Sequence, residues 1–176
     1  MSWTTYESTL GPLTLIGGAG DLRRVCFPER VPSLAESDRD PGAFADATRQ
    51  LDQYFAGERQ TFDLPLRPEG TAFEQRVWSA LQGIAYGRTT TYGALARQVG
   101  VSPDSAAPEA RVVAWAISRT PTPIVVPCHR VIGADGSLTG YGGGLRRKQA
   151  LLEFEAAGGA PAILRDRWTQ EQLALL

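Results

Sequence analysis

The sequence predicts an α/β protein of the α+β kind, with a small N-terminal β-sheet domain carrying one helix and a larger helical domain after it. Three observations predict this. Residues 3–27 alternate apolar and polar side chains between glycine turns, the period of strands. From residue 71 onward the apolar side chains recur at helical spacing. Between the two, Leu64-Pro65-Leu66-Arg67-Pro68-Glu69-Gly70 combines two prolines, a glycine and a reversal of charge balance. A boundary there gives domains at 1–70 and 71–176.

Thr4-Thr5-Tyr6-Glu7-Ser8 leads through Leu10-Gly11-Pro12 into Leu13-Thr14-Leu15-Ile16, and Gly17-Gly18-Ala19-Gly20-Asp21 turns the chain into Leu22-Arg23-Arg24-Val25-Cys26-Phe27. These read as antiparallel strands. Residues 28–42, with three prolines and six charges, read as a loop. A helix over roughly 43–56 puts Phe44, Ala47, Leu51, Tyr54 and Phe55 on one face and stops at Gly57. Phe62, Leu64 and Leu66 alternate as a short strand. Thr71 and Glu74 have the spacing of a capping box for a helix whose core face is Phe73, Val77, Trp78 and Leu81. A short helix starts at Thr89-Thr90-Thr91-Tyr92 and ends at Gly100. After a turn over 101–108, another helix runs from Glu109 to Ser118, in the outline of a helix-turn-helix. Two β-branched runs around Cys128 read as buried strands. The last clear helix begins near Leu145 and turns Leu151, Leu152 and Glu155 to one side. Trp168, Leu173 and Leu176 give the tail a docking surface.

Hydrophobic residues make up 43% of the chain and charged residues 21%, ordinary for a soluble globular protein. No apolar run approaches a membrane span, and Met1-Ser2-Trp3-Thr4 opens no secretory signal. Two cysteines 102 positions apart and a single histidine provide neither a disulfide framework nor a zinc set. The expectation is a reduced, metal-free cytoplasmic protein without a membrane partner. The net charge of −1 conceals an asymmetry: residues 1–70 carry 7 basic and 11 acidic side chains, residues 71–148 carry 9 and 4. A polyanion would meet the second part.

The chemistry concentrates at Pro127-Cys128-His129-Arg130. A thiol attacks as its thiolate, an adjacent imidazole can take the proton directly or through water, and a neighbouring cation favours the anion. Glu155 is an inward carboxylate, which is costly unless it is hydrogen-bonded, so it calls for a role. Gly142-Gly143-Gly144 after Tyr141 allows close backbone approach to a flat ligand but lacks the Lys-Ser/Thr of a phosphate-binding loop.

Pro127-Cys128-His129-Arg130-Val131, Tyr141-Gly142-Gly143-Gly144-Leu145 and the Tyr92 helix with Arg111 together resemble the 6-O-alkylguanine-DNA alkyltransferases, closely over 71–157 and more loosely over 1–70. The resemblance implies single-turnover repair without a cofactor, by a monomeric protein acting on double-stranded DNA that carries alkylated guanine. It implies that Cys128 takes the alkyl group, His129 deprotonates it through a water and Glu155 holds the imidazole. Tyr92 would help rotate the target phosphate and protonate the departing guanine. Arg111 would fill the gap left in the base stack, with Tyr92, Thr91 and Val112 as further DNA contacts. Tyr141, Pro127 and Gly142 would line the base pocket. Rival readings are an alkyltransferase for a small molecule or unusual adduct, and a lesion-binding module without chemistry. The sequence departs from the family pattern in a turn about five residues longer at 101–108, in Trp115 among positions the family keeps small, and in Thr120 where it usually has Asn. Weaker duplex binding is expected from the first two, unless Trp115 faces the core.

Overall fold

A computed structural model describes residues 1–18, 20–104 and 107–166. Strands β1 (Ser2–Ser8), β2 (Gly11–Gly18) and β3 (Asp21–Cys26) form an antiparallel sheet in that order, with Tyr6 opposite Leu13 and Leu15 opposite Val25. Three short 3-10 turns occupy much of the expected loop, and the third, Pro41–Phe44, runs into α1 (Ala45–Phe55). All five residues expected on the inner face of this helix are buried. Gly57 follows at φ 78°, and a Cβ there would meet the Gly159 carbonyl oxygen at 2.1 Å, so the stop also permits a close backbone approach.

The expected strand at Phe62, Leu64 and Leu66 shrinks to a single bridge from Leu66 to Leu22. Its alternation arises because the segment lays apolar side chains over the sheet-and-helix core as an irregular strap. Helix α2 (Ala72–Gln82) begins with the capping box: the Thr71 hydroxyl accepts from the Glu74 N–H at 3.2 Å, and the Glu74 carboxylate accepts from the Thr71 N–H at 2.7 Å. Trp78 is core, donating its indole N–H to the Ala116 carbonyl at 3.0 Å. Helices α3 (Tyr92–Gln98) and α4 (Glu109–Ser118) pack together, burying Leu95 and Ala96 with Val113, Ala116 and Ile117.

The apolar run before Cys128 is not a strand. Residues 124–125 make a turn in which Ile124 has φ 73°, a left-handed conformation that a β-branched side chain disfavours. Burial of Ile124, Val125 and Val126, rather than sheet pairing, accounts for their apolar character. Strand β5 (Val131–Ile132) pairs in parallel with β4 (Thr90–Thr91). Helix α5 (Leu145–Ala156) completes the named elements, and a helical turn over 161–166 buries Leu164. Trp168, Leu173 and Leu176 lie outside the described residues.

One core cluster joins the sheet and α1 to Ile124, Val125, Leu151 and Phe154, so it crosses the boundary drawn from sequence. A second unites α2, α3 and α4 around Cys128.

Candidate active site

The strained turn delivers Cys128 to the start of a 3-10 turn, Cys128–Arg130, in which all three side chains are buried. The pairing of Thr90 with Val131 and Thr91 with Ile132 ties the start of α3 to the residues just after this turn. Tyr92 is thereby held beside the cysteine loop, and its buried ring joins the same core cluster as Cys128.

Helix α5 brings Glu155 to the other side of the loop. Its carboxylate is only 2% exposed yet fully partnered. Oε1 accepts from Tyr54 Oη at 2.7 Å, His129 Nε2 at 2.8 Å and Arg130 Nη2 at 2.9 Å; Oε2 accepts from Arg130 Nε at 2.8 Å and Gly87 N at 3.3 Å. Burial pushes the Glu155 pKa up, but the hydrogen bonds and charges of His129 and Arg130 outweigh it and hold the carboxyl well below its usual range. Glu155 is thus an anion at neutral pH. An ionised carboxylate only accepts, so Nε2 of His129 carries the proton and Nδ1 has the lone pair. Nδ1 is buried and has no hydrogen-bond partner among the described residues. Burial lowers the His129 pKa despite the pull of Glu155, which keeps the imidazole neutral at neutral pH and able to accept a proton.

Burial pushes the Cys128 thiol up to about 11. A side-chain hydrogen bond with Thr120, the Lys148 charge and the backbone N–H groups of Cys128 and His129 act in the opposite direction. Lys148 is the chain's only lysine among 18 basic residues and is fully buried. Its Nζ donates to the Val131 carbonyl at 2.5 Å, the Thr139 carbonyl at 3.0 Å and Tyr92 Oη at 3.4 Å, while Tyr92 Oη donates to the Thr139 carbonyl at 2.8 Å. Sequence reasoning missed Lys148 and Tyr54. A lone Lys in an otherwise all-arginine set, on the helix that carries Glu155, was the available signal. Tyr54 offered none, because an inward tyrosine on an amphipathic helix reads as core. Arg130 holds Glu155 and the Ile84 carbonyl and supports the site structurally.

A cavity of about 650 Å³ reaches Cys128, lined by Ile117, Thr120 and Gly142 and, from the N-terminal part, by Arg30 and Leu34. Tyr141 packs edge-on between Phe27 and His129, with ring centroids 5.9 and 6.5 Å away, and its buried hydroxyl has no partner among the described residues. Pro127 immediately precedes the thiol in the loop. Within the glycine triplet, a Cβ on Gly143 would lie 2.4 Å from the Phe27 ring, so the close approach at that position is to this side chain, while Gly142 lines the cavity.

The structure therefore gathers Cys128, His129, Glu155, Tyr92, Tyr141 and Gly142 about one centre. The other sequence-predicted contacts lie on helix surfaces or ends. Arg111 is exposed on α4, Val112 is half-buried beside it, and the Thr91 hydroxyl caps α3 by accepting from the Ala94 N–H at 3.2 Å. Trp115 is 54% exposed, so the possibility that it faces the core is excluded; Val113, Ala116 and Ile117 occupy that face. Among the described residues, no cluster of three or more His, Cys, Asp or Glu could hold a metal, and no helix is long and apolar enough to cross a membrane.

Residues 72–157 match the family model for the DNA binding domain of 6-O-methylguanine DNA methyltransferase, and residues 1–68 match that for its ribonuclease-like domain. A methylated-DNA–protein-cysteine methyltransferase of Mycobacterium bovis is 49% identical over 164 residues, covering 92% of this chain and 96% of the relative. One from Methanosarcina acetivorans is 43% identical over 160 residues, covering 89% and 99%. Among solved structures, Mycobacterium tuberculosis OGT in complex with DNA superposes with a TM-score of 0.84 at 47% identity, covering 93% of this chain and 99% of that one. The O6-methylguanine-DNA methyltransferase of Pyrococcus kodakaraensis gives 0.65 at 27% identity, covering 88% and 98%.

Proposed function

Because the chain belongs to the 6-O-methylguanine DNA methyltransferase family, we propose that Cys128 is the acceptor through which it removes alkyl groups from guanine in DNA. The protein is a methylated-DNA–protein-cysteine methyltransferase, and DNA is its partner. The observation that carries the residue assignment is the Glu155–His129 pair beside a buried cysteine: a fixed anion sets the tautomer that leaves Nδ1 as the base.

The step balances as a displacement at the alkyl carbon. His129 Nδ1 takes the Cys128 proton through a bridging water. The sulfur forms a bond to the alkyl carbon as the bond to guanine O6 breaks, and the electron pair leaves with the base. Tyr92 returns a proton to the departing guanine, with Lys148 behind its hydroxyl. The thioether is stable, so each chain acts once and needs no cofactor. Tyr141 and Gly142 wall the flipped base, which a nucleotide buried in a duplex must become before sulfur can reach it. Arg111 fills the space it vacates, and Thr91 and Val112 contact the strand nearby. We read the acting unit as a monomer in the cytoplasm, where a free thiol stays reduced.

The test uses a duplex with one O6-[³H-methyl]guanine. Label should pass to the wild-type protein and not to Cys128→Ser. Label on Cys128→Ser would refute the assignment. Transfer to free O6-benzylguanine that exceeds transfer to the duplex would favour the small-molecule reading.

A further inference from the structure

We propose that Trp115 is a stacking platform for an unpaired nucleobase of DNA beside the lesion, and that it biases this protein toward locally unpaired DNA. The proposal rests on DNA being the partner and assigns a specificity-determining residue to that interaction.

A solitary exposed aromatic is ordinary on a protein surface, but this one is held in place. The Arg119 guanidinium lies 5.0 Å from the centroid of the Trp115 ring. Arg119 is itself anchored by a hydrogen-bonded ion pair to Glu74, a side chain that is 2% exposed and fixed by the capping box of α2. The ladder Glu74–Arg119–Trp115 therefore restrains the indole from one side, reducing the entropy lost when a flat ligand meets its remaining surface. Arg111 and Arg119 stand four residues before and after Trp115, the first on α4 and the second at its C-cap, so the stripe they form is aromatic at the centre and cationic at both ends. An aromatic between cations fits a base between phosphates. The location agrees, because Arg119, which contacts the Trp115 ring, also lines the cavity that reaches Cys128.

Paired DNA fits this face poorly. A B-form minor groove is roughly 6 Å wide, and a protruding indole must either widen it or unstack a base step at the cost of pairing. A mismatch, bulge or single strand has already met that cost.

The test measures binding of the full-length protein to unmodified oligonucleotides as single strand, as perfect duplex and as duplex with one mismatch, for wild type, Trp115→Phe and Trp115→Ala. Trp115→Ala should weaken single-strand and mismatch binding by about tenfold, the loss of one base–aromatic stack. It should leave perfect-duplex binding unchanged or tighter, and Trp115→Phe should retain most of the preference. Equal affinity of wild type and Trp115→Ala for the single strand, or equal losses on all three DNAs, would overturn the proposal. Thermal melts of each variant identify a loss due to misfolding, in which case Trp115→Phe decides alone. Transfer to free O6-benzylguanine should be the same for all three proteins, and its absence in wild type would count against the alkyl-transfer reading instead.

Discussion

A thiol whose pKa is pushed up to about 11 supplies very little thiolate at neutral pH, so transfer must draw on the group that removes its proton. If His129 is that group, the rate should level off once the imidazole is neutral. Its pKa lies below the ordinary 6.5, so transfer to O6-benzylguanine should be nearly flat from pH 7 to 9 and decline only at acid pH. His129→Ala should lower the rate by roughly 10²-fold or more, the usual contribution of a positioned base. It should also make the remaining rate climb with pH as hydroxide takes over. A tenfold rise per pH unit in the wild type would mean that the thiol ionises without His129. The gathering of Cys128, His129 and Glu155 was legible in sequence from residue type, adjacency and helical phase. Lys148 was not, because burial of an amine depends on carbonyls 9 and 17 residues away that only the fold brings together.

At the scale of elements, the capped helix α2 and the inner face of α1 followed from side-chain period and cap chemistry, both local. The run before Cys128 did not. An apolar β-branched segment looks the same whether it is paired in a sheet or buried in a turn, and only tertiary packing holds Ile124 at positive φ. We propose that helix α4 separates DNA contact from chemistry. Arg111→Ala should slow transfer from duplex DNA and leave transfer from the free base unaltered, since Arg111 is exposed on α4 and is not among the side chains gathered about Cys128. Side-by-side single-turnover rates check this, and equal losses on both substrates would remove Arg111 from the role of replacing the flipped nucleotide. At the start of α2, Thr71→Ala should cost about 1 kcal/mol of stability in denaturant unfolding, the typical value of an N-cap.

Across the whole molecule, the two parts meet at the carboxylate. Tyr54, from the part before residue 70, donates to the same Glu155 oxygen as His129. We propose that 1–70 and 71–176 are domains in organisation but a single unit in the chemistry, since a helix of one completes the hydrogen bonding of the other. Tyr54→Phe removes a hydrogen bond to a buried charge and should lower stability by about 1.5–3 kcal/mol, with a slower transfer to the free base that Cys26→Ser does not reproduce. Acid should expose the same network. Folding depresses the pKa of both Glu155 and His129, so their stabilisation is present above the unfolded values of 4.5 and 6.5 and is lost as pH falls below them. The melting temperature should therefore drop between pH 7 and 4, and Glu155→Gln should start lower without a shallower drop, because removing the carboxylate also removes its upward pull on the His129 pKa. The N-terminal sheet and the helices after it were legible because the side-chain period changes along the chain. The bond from Tyr54 to Glu155 joins residues 101 positions apart, and no local pattern records it.

We propose that a single thiol, Cys128, accepts the alkyl group once and keeps it. Intact-protein mass followed by peptide mapping, after incubation with excess duplex containing O6-methylguanine, tests it most directly. One methyl group per chain is expected, located on Cys128, with Cys26 unmodified and no further repair after the first equivalent. Repair continuing beyond one lesion per chain, or a methyl group found on Cys26 with Cys128 free, would contradict it.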